Sequence, residues 1–156
     1  MKTNKITLLA CIAVPLLAGV LAGTLARGGM QTYAVLEQPP FAPPGWVFPA
    51  VWTILYILMG SASYLIIVSE AEPQQIADAL AVYAYQLVVN FLWPVFFFDF
   101  GWYLFAFFWL ILLWVLILAT IRQFAPISKL AAWLMIPYLL WVTFAGYLNL
   151  GIWWLN

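Results

Sequence analysis

Five runs of roughly twenty apolar residues dominate this chain, and that is the length an α-helix needs to cross the hydrocarbon core of a bilayer. They extend over about 6–26, 46–68, 79–98, 102–121 and 130–153. In lipid every backbone N–H and C=O must be satisfied inside the protein, and a helix does so within its own segment. The expected fold is an all-α membrane protein: a single domain over 1–156, built as a five-helix transmembrane bundle with a long Pro-rich loop between helices 1 and 2. Composition closes off the soluble alternative. Charged residues are 6% of the 156 and hydrophobic residues 68%, whereas a water-soluble domain carries about 25% charge to face its solvent.

What the chain lacks is equally informative. It has no histidine and a single cysteine, Cys11. It therefore has no intramolecular disulfide, none of the usual zinc or haem ligands, and not the commonest general base. Neither a metal site nor a required cofactor is expected. Formal net charge is zero with no basic cluster, which argues against nucleic acid as a partner. No carboxylate lies deep within a span, which disfavours an ion channel or proton pump.

The first run has a second reading. Lys2 and Lys5 before it, and Leu21-Ala22-Gly23 near its end, also suit a cleaved secretory leader; its length and the central Pro15 favour a retained span. With the N-terminus on one side of the membrane, that side carries Lys2, Lys5, Arg122 and Lys129, and the other only Arg27. The positive-inside rule then puts the N-terminus in the cytoplasm. Helical spans favour a bacterial cell membrane over an outer membrane of β-barrels.

Twelve Phe, ten Trp and eight Tyr exceed what interfacial belts require. Trp102, Trp133, Trp153 and Trp154 fall at span ends and fit such belts, while Trp52, Trp93, Trp109 and Trp141 sit further inside. Helical spacing places Phe48, Trp52, Leu55 and Tyr56 on one face of the second span. It places Gln86, Asn90 and Trp93 on one face of the third, and Tyr138, Trp141, Ala145, Leu148 and Asn149 on one face of the fifth. Amides in hydrocarbon are costly unless paired, so Gln86, Asn90 and Asn149 are expected to point inward. Two readings stay open on spacing alone: interhelical packing, or a pocket for a flat apolar ligand with a few polar groups. The stretch Pro39-Pro40-Phe41-Ala42-Pro43-Pro44 is stiff and extended, as a rigid spacer or as a lid. Gly19 and Gly23 form a G-x-x-x-G, a signal for close helix contact.

Three ordered blocks carry a family resemblance. Leu36-x-x-Pro39-x-Phe41-x-Pro43-Pro44-x-x-x-Phe48-x-x-x-Trp52-x-x-Leu55-Tyr56 is the first, and Gln86-Leu87-x-x-Asn90-x-x-Trp93 the second. The third is Pro137-Tyr138-Leu139-x-Trp141-x-x-Phe144-Ala145-x-x-Leu148-Asn149. Together they resemble the tryptophan-rich sensory protein and translocator protein family, once called peripheral benzodiazepine receptors. The resemblance implies five transmembrane helices, commonly a homodimer, and a pocket beneath the loop between the first two helices. That pocket would take porphyrins and haem-related tetrapyrroles, cholesterol, or isoquinoline and benzodiazepine-type drugs. Ligand-binding residues carried over are Trp52, Asn90, Trp93, Trp141 and Ala145, with Tyr33, Pro43 and Tyr56 beside them and Tyr138 on the same face as Trp141.

Departures from the pattern narrow these implications. No Lys or Arg follows Tyr147, and Leu150 and Trp154 stand where animal members carry the Tyr and Arg of a cholesterol-recognition stretch. Membrane lipid is thus an expected partner and sterol a lesser one. Gln38 replaces the Lys that many relatives place before the loop proline. The function implied is a receptor or transport-type protein for tetrapyrroles, in stress sensing or tetrapyrrole handling. Two alternatives accompany it: light- or oxygen-dependent porphyrin breakdown, for which Trp52 and Trp141 would be the catalytic residues, and a ligand-regulated membrane scaffold.

Overall fold

The computed structural model describes residues 4–156. Among these, the helices are α1 (Lys5–Leu25), α2 (Arg27–Val35), α3 (Val47–Ile67), α4 (Pro73–Pro94), α5 (Tyr103–Phe124) and α6 (Lys129–Leu155), with a π-helical turn, Val95–Asp99, closing α4. Five are long and apolar enough to span a membrane, with α4 and its π turn counted as one.

The boundaries depart from the apolar runs in two places. The stretch after the first span is not loop throughout, because α2 makes its first nine residues helical. Its paired glycines and its polar residues hide it from a hydropathy reading, and tertiary contact holds it. Gly29 lies so close to the π turn that a Cβ there would come within 2.8 Å of the Phe98 backbone. α4 begins at Pro73 rather than near residue 79. Proline is well placed in a first turn, where its missing N–H costs nothing, and Gln74 Nε2 donates to Asp78 Oδ1 at 2.8 Å across that polar turn. Helix and apolar run are different quantities, and here the helix projects beyond the hydrocarbon.

The start of α1 is fixed by Asn4, whose Oδ1 accepts from the backbone N–H groups of Ile6 and Thr7 at 3.1 and 3.2 Å. Ser128 caps α6 in the same way. Lys2, one of the charges used to orient the chain, lies outside the described residues.

The spans close a ring in which α1 packs on α3, α3 on α6, α6 on α5 and α5 on α4, while α4 returns to α1. Met59, Ile66, Ile117, Phe124, Met135 and Tyr138 form its fully buried centre. Large apolar side chains such as Leu17, Phe108 and Leu140 face outward, where acyl chains solvate them. Burial of apolar surface therefore does little to drive helix association here, and close packing must do it. At Gly60 the α1 backbone crosses α3 so tightly that a Cβ would lie 2.6 Å from the Cys11 carbonyl oxygen.

The Pro-rich strap after α2 is fastened to the end of α6. Tyr147 Oη donates to the Pro40 carbonyl at 2.7 Å. Asn156 bonds both the N–H and the C=O of Glu37, at 3.1 and 2.9 Å. Gly151 admits the ring of Pro39, which a Cβ would meet at 2.6 Å. At the tip of the strap Phe41 adopts φ 67°, a left-handed backbone that costs a non-glycine residue about 1–2 kcal/mol. The tethers at Glu37, Pro39 and Pro40 come just before it, and the Ala42 N–H closes the turn on the Pro39 carbonyl at 3.3 Å.

Candidate functional site

A cavity of about 360 Å³ lies between α1, α3 and α4, with α2 above it and α6 behind. Six of the residues expected from the sequence line it: Trp52, Tyr56, Asn90, Trp93, Trp141 and Ala145. Trp52 stacks on Tyr56 (ring centroids 5.5 Å apart, planes at 29°), giving a flat aromatic wall. The other three do not line it. Tyr138 is fully buried behind Asn90. Tyr33 packs edge-on against Phe48 and Phe98 in a satellite cluster above, where burial raises the pKa of its hydroxyl. Pro43 is held in the strap.

The α1 wall (Leu16, Gly19, Val20 and Gly23) and the α2 roof (Met30) were not legible beforehand. In a helix that is apolar all round, no periodicity tells the cavity face from the lipid face. The G-x-x-x-G was the available signal, but its two glycines behave differently. Gly19 lies against the Tyr56 ring, whose Cδ2 would be 2.7 Å from an added Cβ, while an added Cβ at Gly23 meets nothing within 4 Å. α1 and α3 therefore touch up to Gly19 and separate above it.

That separation makes a mouth. The lining residues Val20 and Gly23 of α1, and Pro49 and Thr53 of α3, are all exposed on the outer face of the bundle. Because both helices span the membrane, the mouth opens sideways into lipid, a few residues inside the end of α1. The strap is not its lid, since it is tied to α6.

Hydrogen-bond accounting shows which lining groups are free for a ligand. Asn90 is engaged at both ends: Oδ1 accepts from Tyr56 Oη at 3.0 Å and Nδ2 donates to Tyr138 Oη. Trp93 Nε1 donates to Asn149 Oδ1 at 3.1 Å, and Asn149 Nδ2 donates to the Tyr103 carbonyl at 2.7 Å. Trp109, the fourth inner tryptophan, lies outside the cavity and donates to the Val89 carbonyl. Trp141 Nε1 is different: it is buried and has no acceptor among the described residues. An indole N–H left bare costs about 1–3 kcal/mol, but this one is enclosed in the wall and presents no surface to the cavity.

A bundle of five spans around an aromatic cavity fits the comparisons with known proteins. The model of the TspO/MBR family matches residues 11–155. The chain belongs to this family. Among TspO/MBR relatives, the tryptophan-rich protein TspO of Chlorobaculum tepidum is 36% identical over 100% of this chain and 99% of its own length. The translocator protein of Bos taurus is 37% identical over 90% of this chain and 84% of its own. The tryptophan-rich sensory protein of Cereibacter sphaeroides is 38% identical over 76% and 73%. The protein is thus an integral membrane protein of the TspO/translocator family.

Proposed function

We propose that this chain is a receptor or transport-type protein that takes porphyrins, related tetrapyrroles and flat isoquinoline-like molecules from the bilayer into the aromatic cavity. Its role would lie in stress sensing or tetrapyrrole handling. The observation that carries the reading is a largely apolar cavity with a flat wall made by Trp52 stacked on Tyr56. Ligand sites of this kind are mostly apolar with a few placed polar groups, and run to roughly 300–1,000 Å³. At about 360 Å³ this one is at the small end. An isoquinoline fits inside, and a tetrapyrrole fits with one edge left in the lipid-facing mouth.

The cavity lining contains no cation, so porphyrin carboxylates gain nothing by entering. They belong at the mouth, towards Arg27, which follows the lining residue Ala26 at the start of α2. Stacking on Trp52 needs no iron, so metal-free porphyrin binds at least as well as haem. With the N-terminus in the cytoplasm the mouth lies in the outer leaflet, which suits capture of a membrane-dissolved ligand from that side.

Tryptophan quenching by protoporphyrin IX, with the protein in lipid nanodiscs, tests the reading. Saturable quenching is expected, weakened about 2- to 10-fold by Trp52→Leu through loss of the stacking wall. Arg27→Gln weakens the diacid while leaving its dimethyl ester unaffected. Unsaturable quenching, or one curve for all variants, would mean that the pigment only partitions into lipid.

A further inference from the structure

Below the cavity, the inward face of α4 continues with Gln86 and Tyr83, at four and seven residues from Asn90. Asn90 is satisfied, but these two are not. Gln86 is fully excluded, yet neither Oε1 nor Nε2 has a partner among the described residues. The buried Tyr83 hydroxyl is also without one. Ser63 on α3 lies beside Tyr83 and donates to the Gly60 carbonyl at 2.9 Å, which leaves its oxygen free to accept.

Donor direction adds a fourth open valence. Tyr56 donates to Asn90, and Asn90 donates to Tyr138. Tyr138 is fully buried, and its own hydroxyl proton has no acceptor in this chain of bonds. An amide buried with both ends bare costs roughly 2–7 kcal/mol, a large part of the ~5–15 kcal/mol that holds a fold together. Native interiors rarely leave such groups unmet. Water meets this need, because one molecule both donates and accepts and binds with two to four polar partners.

We propose that Gln86, Tyr83 and Tyr138 enclose a buried water-binding site, which extends the hydrogen-bonded floor of the cavity further along α4. Water accepts from Tyr138 Oη and Gln86 Nε2, and donates to Gln86 Oε1. The Tyr83 hydroxyl closes the site at its far end. This site rests on side-chain accounting alone and stands whether or not the cavity takes a porphyrin.

Water-edited solid-state NMR of the ¹⁵N-labelled protein in bilayers reads the site directly, the Gln86 amide signal being the one missing from Gln86→Met. Magnetisation is expected to pass from water to that amide, and Gln86→Met is expected to lower the apparent Tm by about 2–6 °C. Should Gln86→Met not fold, Tyr83→Phe identifies the signal instead, by shifting it and reducing its transfer from water. An amide that receives no magnetisation from water overturns the proposal, whatever the Tm does. So does a higher Tm in Gln86→Met, which would mark Gln86 as a dry, unpaired amide.

Discussion

Gly60→Ala is expected to destabilise the bundle by about 2 kcal/mol or more, whereas Gly146→Ala stabilises it by up to ~1 kcal/mol. In a helix interior, alanine replacing glycine is ordinarily worth about 0.5–1 kcal/mol in the folded state's favour, because glycine loses more freedom on folding. Gly146 shows that ordinary case, since its added Cβ meets only a ring carbon of Phe107 at 3.9 Å. At Gly60 the same carbon would lie 2.6 Å from the Cys11 carbonyl oxygen and 2.8 Å from the Ile12 nitrogen. Backbone atoms of a packed helix cannot rotate aside as a side chain can, so α1 must move away from α3. Overpacking of this kind costs ~1–3 kcal/mol in soluble cores. In lipid, where packing itself drives association, there is little else to hold the pair together. The movement also draws Gly19 away from Tyr56 and so disturbs the cavity wall. Reversible unfolding in mixed micelles measures both variants; a Gly60→Ala protein as stable as its parent would mean that the α1–α3 crossing is looser than described.

The sequence made legible whatever carries a penalty in hydrocarbon. Gln86, Asn90 and Asn149 had to turn inward, and all three are buried. The aromatic residues sharing their faces follow them, which is why Trp52, Trp93 and Trp141 meet around one cavity. Features without such a penalty stayed hidden. α1 presents apolar groups in every direction, and a membrane removes the contrast between inside and outside that periodicity detects. α2 is short and glycine-paired, and contact with the π turn decides its conformation. Tyr138 shares a helical face with Trp141 yet lies one layer deeper, behind Asn90, a difference of depth that spacing does not encode. Gln38, which stands where many relatives place Lys, donates to the Tyr33 carbonyl at 3.2 Å at the end of α2, a contact that spacing does not encode.

Gly23→Phe is expected to slow porphyrin association at least ~10-fold while leaving the fold as stable as before. The two glycines of the α1 motif look alike in sequence, but only Gly23 borders open space. A phenyl ring there occupies the gap between Val20 on α1 and Pro49 and Thr53 on α3, the exposed part of the lining. The added Cβ meets nothing within 4 Å, the ring lies towards the lipid-facing gap, and the substitution replaces the weakest helix former bar proline, so stability is expected to hold. Gly23→Ala is the control, since one added carbon in open space leaves the association rate within about 2-fold, or ~0.4 kcal/mol. Stopped-flow quenching in nanodiscs separates rate from affinity. A plug at the mouth slows entry and exit together, so the rates fall by more than the affinity changes. A ring that instead fills the cavity lowers affinity and leaves the association rate of the remaining sites unchanged. Native rates in Gly23→Phe would mean that ligand enters elsewhere, past α2 and the strap. Because α2 sits on the π turn through Gly29 and the strap is bonded to α6 at Glu37 and Pro40, such a route would have to break several contacts before any ligand passed. The lateral mouth requires none of them to break.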